Sequence, residues 1–175
     1  MKNNILVTGG SGFIGSNFIQ YLINNTNYQL IINLDKLTYA GNPDTLKDIR
    51  KNKRYHFVKG NIEDSSLLWK TISEFMPDFI VNFAAQSMVA ESWINPTDWM
   101  NTNILALTNL MEIIKNYPSL DRYIHITTPE VYGSTDNYIS EGQHYNPSTP
   151  YAVSRATGDM LLKIYSEQYG IPTNL

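Results

Sequence analysis

The stretch "ILVTGGSGFIGS" (Ile5–Ser16) decides how this chain folds. A β-branched apolar run ends at Gly9, Gly12 and Gly15, spaced three apart, and a segment of helical period begins at Phe13. A strand turning directly into a helix needs glycine at such places. The first permits the tight turn, the second lets backbone approach a pyrophosphate, and the third lets helix pack on strand. The helix start then offers unpaired N–H groups and a partial positive charge to an anion. A glycine triplet alone fits any tight β–α turn. Here Asp35 lies 20 residues past Gly15, at the end of the next apolar run, and completes a dinucleotide-binding signature. Its carboxylate suits the two ribose hydroxyls of NAD and repels the 2′-phosphate of NADP, although Lys36 beside it keeps NADP in play.

Outward from that turn, short apolar runs alternate with helical patterns. Ile5–Thr8, Leu30–Asn33, Tyr55–Val58, Phe79–Phe83 and Arg122–Thr127 read as strands, hydrophobic enough to be buried on both faces of a parallel sheet. Helical periods cover Phe13–Asn24, a short piece near Pro43–Arg50, Ser65–Phe75, Pro96–Asn116 and Pro150–Tyr169. Pro96 and Pro150 stand at first helical positions, and Gly170 with Pro172 stops the last helix. The alternation predicts an α/β fold: a doubly wound parallel Rossmann-type sheet in the order 3-2-1-4-5, with helices on both faces. "IPTNL" (Ile171–Leu175) reads as the start of a sixth strand, cut off. The expectation is therefore one incomplete domain over residues 1–175, with a C-terminal substrate domain absent.

Bulk composition narrows the function. The 175 residues suffice for one domain with a sizeable core. With 42% apolar residues, 17% charged residues and a net charge of −3, nothing favours nucleic acid or an anionic membrane as partner. The basic run Arg50–Arg54 reads as a solvated connection. The chain has no cysteine, which excludes disulfides and thiolate metal sites and fits a reducing cytoplasm. No run of about 18 apolar residues is available to span a membrane, and the N-terminus does not read as a signal peptide. His56, His125 and His144 are scattered, so no metal site is expected.

Several segments together carry a family resemblance. "VTGGSGFIGS", "LDKLTYAGN" (Leu34–Asn42), "NFAAQSMV" (Asn82–Val89), "NTN" (Asn101–Asn103), "TTPEVYG" (Thr127–Gly133) and "TPYAVSR" (Thr149–Arg155) resemble the extended short-chain dehydrogenase/reductase superfamily. Within it they look most like the nucleotide-sugar 4,6-dehydratases of the NAD-dependent epimerase/dehydratase family. "LDKLTYAGN" is the most specific piece. The resemblance runs through the whole chain but covers only the N-terminal half or so of a family protein.

The resemblance implies NAD as cofactor and a nucleotide-sugar as substrate. It would set Phe13 and Ile14 against the pyrophosphate, Asp35, Lys36 and Thr38 at the adenosine ribose, and Asn61 and Ile62 beside the adenine. At Asn61 the family usually has Asp. Ala84, Ala85, Ser87 and Thr102 would line the nicotinamide side, although packing alone would also account for the alanines and Thr102. Family proteins also pair helices matching 96–116 and 150–169 across a two-fold axis, which makes a homodimer an expectation. Met100, Ile104, Leu107, Met111 and Ile114 form a stripe on the first, and Val153, Met160 and Ile164 on the second. Such stripes are more often core.

The same resemblance points to Thr128, Glu130, Tyr151 and Arg155 as catalytic. Tyr151 and Arg155, four apart on a helix, share a face. A phenol ionises near pH ~10, so a tyrosine base needs a cation beside it. The family has Lys where this chain has Arg155; the charge is kept, but the planar guanidinium is bulkier and bonds differently. In the dehydratases a Thr orients the substrate hydroxyl, an Asp protonates the departing C6 hydroxyl, and a Glu removes the C5 proton. Thr128 and Glu130 match, but Pro129 stands in place of the acid, and proline has no side chain to give or take a proton. Three readings follow: 4,6-dehydratase first, then 4-epimerase or decarboxylase, then a dinucleotide-binding fragment without turnover. Met88, Ala90 and Glu91 also depart from the family pattern and leave the sugar open.

Overall fold

The computed structural model describes residues 3–142 and 144–175; Met1 and Lys2, part of the N-terminal reading above, and Gln143 lie outside them. Among the described residues, six parallel strands form one sheet: β1 (Asn4–Thr8), β2 (Leu30–Asp35), β3 (Tyr55–Lys59), β4 (Phe79–Asn82), β5 (Arg122–His125) and β6 (Thr173–Asn174). Their order is β3-β2-β1-β4-β5-β6, which extends the expected order by a short sixth strand paired to β5. β1 is buried at every residue, as continuous hydrophobicity predicts for a central parallel strand. β3 is not. It lies at the sheet edge, and His56, Phe57 and Lys59 are exposed.

Side-chain alternation divides the core between the two faces. Ile5 and Val7 pack with Ile19, Leu22 and Ile23 of α1 (Phe13–Asn25) and with Leu46 of the 3-10 turn Pro43–Ile49. Leu6, Ile32 and Ile80 point the other way, toward Leu68 and Ile72 of α2 (Ser65–Phe75), Leu107, Leu110 and Met111 of a long central helix, and Leu162 of α6 (Pro150–Tyr169). The helices are therefore on both faces of the sheet. Helix ends follow local chemistry. Asp64 caps α2 by accepting from Leu67 N at 3.0 Å, and Thr149 caps α6 by accepting from Ala152 N at 3.0 Å, with Pro150 next. Gly170, at φ 68°, closes α6 in the left-handed conformation.

Two features of the helical layer escape hydrophobic periodicity. A six-residue helix, α3 (Val89–Ile94), precedes the long one. The expected helix 96–116 is three pieces in line: α4 (Pro96–Met100), a π-helical turn at Asn101–Leu105, and α5 (Ala106–Ile114). A π turn inserts residues into the 3.6 period, and it buries both Thr102 and Asn103.

Candidate active site

All five long strands end on the same side, and there the order reverses between β1 and its neighbours β2 and β4. A cavity of about 390 Å³ opens at that point, which is where an open parallel sheet admits a ligand. Gly9 forms its floor. Its φ is 68°, and a Cβ there would stand 2.6 Å from Ala84 N, so only glycine fits. Gly12 is the N-cap residue of α1 and makes no side-chain cap, so the first turn keeps its N–H groups toward the cavity. Gly15 does not line the cavity; it lets α1 seat on the turn, since a Cβ would collide with the Gly9 carbonyl. Phe13 and Ile14 at the rim are 86% and 60% exposed, apolar surface that a ligand would cover.

At the end of β2, Asp35 is nearly buried. Its Oδ2 accepts from Ser11 N at 2.9 Å and its Oδ1 from Leu37 N at 2.7 Å, so the carboxylate is held rigidly between the glycine turn and the following loop. Lys36 and Thr38 line the same end, as do Asn61 and Ile62 after β3. Asn61 Oδ1 also accepts from Glu63 N at 3.1 Å, fixing that turn. Thr102, expected beside the alanines, turns its hydroxyl instead to Glu63 Oε1 at 2.7 Å; the same oxygen lies 3.4 Å from Lys36 Nζ. Burial alone would raise the Glu63 carboxyl, but the Thr102 hydroxyl and the Lys36 ammonium outweigh it and hold it below the usual range.

Ala84, Ala85 and Ser87 line the cavity after β4. Their loop is fixed by a residue that hydrophobic pattern could not reveal. Asn103, turned inward by the π turn, accepts from Gln86 N and donates to Gln86 O, both at 2.9 Å, and donates to Ser154 Oγ at 2.9 Å. Ser154 in turn donates to Tyr151 O at 2.7 Å, and Ser92 Oγ of α3 receives Tyr151 N at 3.2 Å. The loop and the tyrosine are thus held by one polar network across three helices.

Tyr151 and Arg155 reach the same cavity from α6. Arg155 is 3% exposed and donates to Ile126 O at the end of β5. Burial pulls its guanidinium below the ordinary value, opposed by Tyr151, Asp159 and Tyr123. Its Nε has no hydrogen-bond partner among the described residues. Beneath it, Thr8, Asn82 and His125 stand at matching register on β1, β4 and β5. Thr8 donates to Asn82 Oδ1, and His125 Nδ1 lies 3.2 Å from both Asn82 Nδ2 and Tyr123 Oη. Burial, reinforced by the Arg155 charge, pushes His125 down to about 3. It is a neutral packing group, not an acid or base at neutral pH.

The other two expected catalytic residues face elsewhere. Thr128 and Glu130 line a second, larger cavity of about 1190 Å³, between the 3-10 turn Pro129–Tyr132 and α6. Thr128 caps that turn by accepting from Glu130 N at 3.3 Å, and Pro129 takes its first position. The proline therefore has a local reason: it presets the turn that displays Glu130. Thr127 lines both cavities. Its hydroxyl donates to Asp159 Oδ2 at 2.6 Å, and burial raises that carboxyl despite the hydrogen bond and Arg155. Among the described residues, no group of three His, Asp or Glu is placed to hold a metal ion.

Comparison with known proteins agrees with this layout. The family model described as GDP-mannose 4,6 dehydratase matches residues 6–175. The dTDP-glucose 4,6-dehydratase of Haemophilus influenzae is 41% identical over 97% of this chain and 53% of its own. The crystal structure of the Streptomyces venezuelae dTDP-glucose 4,6-dehydratase, solved with NAD bound, superposes with a TM-score of 0.91 at 35% identity, over 97% of this chain and 53% of that one. A UDP-glucose 4-epimerase from Brucella ovis, also solved with NAD, gives 0.86 at 27% identity, over 98% and 50%. The chain thus spans about half the length of the relatives it matches. With its glycine turn, acidic β2 end and Tyr151–Arg155 face meeting at one cavity, and with the match running from residue 6 to residue 175, the chain belongs to the GDP-mannose 4,6 dehydratase family.

Proposed function

We propose that this chain is the cofactor-binding part of an NAD-dependent nucleotide-sugar 4,6-dehydratase. The observation that carries the reading is the shared cavity: glycine turn, Asp35, Tyr151 and Arg155 all border one space at the switch point of the sheet. NAD fits what borders it. The uncapped start of α1 would receive the pyrophosphate, Asp35 the ribose hydroxyls, and exposed Phe13 and Ile14 the apolar cover. When bound, NAD would supply the oxidation at C4 of the sugar and the reduction at C6.

The protein's own share is proton handling. Tyr151, as a phenolate stabilised by the buried Arg155 cation, would take the proton of the sugar 4-hydroxyl at its phenolic oxygen. Thr128 would orient a substrate hydroxyl. Glu130 would remove the C5 proton at its carboxylate and, with Pro129 in place of a separate acid, deliver a proton to the departing C6 oxygen from the same face. Because Thr127 borders both cavities, a sugar near it lies within reach of both sets of residues. The missing acid also supports a second reading, 4-epimerisation, which needs neither that acid nor a C5 base. Val153 remains exposed on α6, and we read it as part of a face for a second copy of the chain; Met160 and Ile164, also exposed, border the second cavity, and Leu107, Met111 and Ile114 are spent in the core.

The test is to incubate a protein containing this chain with NAD and dTDP-glucose and identify the product. A 4-keto-6-deoxy sugar is expected. Recovery of the C4 epimer instead would replace the first reading by the second, and light scattering that returned only monomer would remove the dimer.

A further inference from the structure

The cation that would welcome a 2′-phosphate is already engaged. Lys36 follows Asp35 directly, and an ammonium free beside a ribose site would blunt the preference that Asp35 imposes. Its Nζ instead lies 3.4 Å from Glu63 Oε1. Glu63 comes from the turn after β3 and is anchored on its other side by the hydroxyl of Thr102, in the π turn, at 2.7 Å. Asn61 Oδ1 accepts the Glu63 N–H at 3.1 Å and fixes the turn that presents it. Three segments far apart in sequence, at Lys36, Glu63 and Thr102, thus close around one carboxylate oxygen at the Asp35 end of the cavity. Both Lys36 and Thr102 border that cavity.

We propose that Glu63 is a specificity-determining residue: by pairing Lys36 across the adenosine end of the cavity, it withholds that ammonium from a 2′-phosphate and enforces selection of NAD over NADP. The inference rests on the dinucleotide reading of the cavity. Its physical basis is local charge. With Lys36 paired, a 2′-phosphate would meet the Asp35 carboxylate and an ammonium whose charge Glu63 already offsets. The lowered Glu63 carboxyl is consistent with a group ionised throughout the neutral range. Thr102 gives the pair its position, because an exposed Lys–Glu pair with no third contact is weakly held.

Affinities for NAD and NADP are measured by calorimetry for the wild-type chain, for Glu63→Gln, and for Glu63→Gln combined with Lys36→Met. Gln keeps an acceptor for Thr102 but drops the charge. Glu63→Gln is expected to raise the NADP-to-NAD affinity ratio roughly tenfold, the size of one charge-assisted phosphate contact, mainly by tighter NADP binding. Adding Lys36→Met is expected to abolish the gain. An unchanged ratio in Glu63→Gln, or an equal loss for both nucleotides, overturns the proposal and leaves Glu63 a strap only. Failure of the wild type to bind either nucleotide instead overturns the reading of the cavity, and is seen before any variant is compared.

Discussion

The two cavities that share Thr127 are built by different means. The first is made of backbone: strand ends, a glycine turn and an uncapped helix start, with Asp35 clamped by two main-chain N–H groups. The second is walled by side chains from the Pro129–Tyr132 turn, the loop after it and α6, and Glu130, which we propose as its acid and base, is exposed. Backbone geometry tolerates few substitutions at its glycines and many elsewhere. Side-chain chemistry can be changed residue by residue, as Pro129, standing where the resembling dehydratases have an acid, illustrates. Binding and bond-breaking should therefore separate under mutation.

The largest effect is expected at the floor of the first cavity. Gly9→Val puts a β-branched side chain at positive φ and drives its Cβ into the Ala84 backbone. It should cost at least about 2–3 kcal/mol of stability and remove dinucleotide binding, read by thermal melting and calorimetry. Intact binding in this variant would break the comparison, because the first cavity would not then depend on backbone shape.

Glu130→Gln should do the opposite. In a protein carrying this chain, turnover is expected to fall about 10²–10⁴-fold, the usual size of a lost acid or base. NAD affinity should stay within about twofold, since Glu130 does not border the first cavity. A matching loss of NAD affinity would show that the two cavities act as one.

A third effect, visible only as pH falls, comes from His125 beside Arg155. His125 is held neutral, with its value pushed down from the ordinary 6.5 to about 3. Below pH 6.5 the unfolded chain takes up a proton there that the folded chain refuses. The contribution of His125 is thus present above 6.5 and lost as pH falls toward 3. Stability should drop by up to about 1.4 kcal/mol per pH unit in that window. Denaturant melts at pH 7, 6 and 5 for wild type and His125→Asn would show it: the variant should have the shallower slope. Equal slopes would mean that His125 is protonated in the folded protein.

Much of the first cavity was legible in sequence because its demands are local. Gly9, Gly12 and Asp35 are required by a turn and a strand end, and those requirements follow from chain position alone. The second cavity was legible only as a set of residue types. Nothing in "TTPEVYG" states that Thr128 and Glu130 face a different space from Tyr151, because that depends on where α6 packs. Asn103 and Ser154, quoted only as parts of motifs, and Ser92 received no role from the sequence for a related reason. They are polar residues in helical segments, and their burial comes from contacts 17 to 59 residues away.

Sequence by itself determined the order of strands and helices, the glycine turn, the acid at the end of β2 and a proline, with no side chain to give a proton, at position 129. Each is a property of one segment, set by backbone sterics, hydrophobic period or side-chain chemistry. Tertiary structure decided what those segments do to one another: which residues share a cavity, which half of a hydrophobic stripe is core, and that Glu63 lies against Lys36. Those outcomes depend on distances between residues far apart in the chain, and such distances arise only when the sheet and its helices have packed.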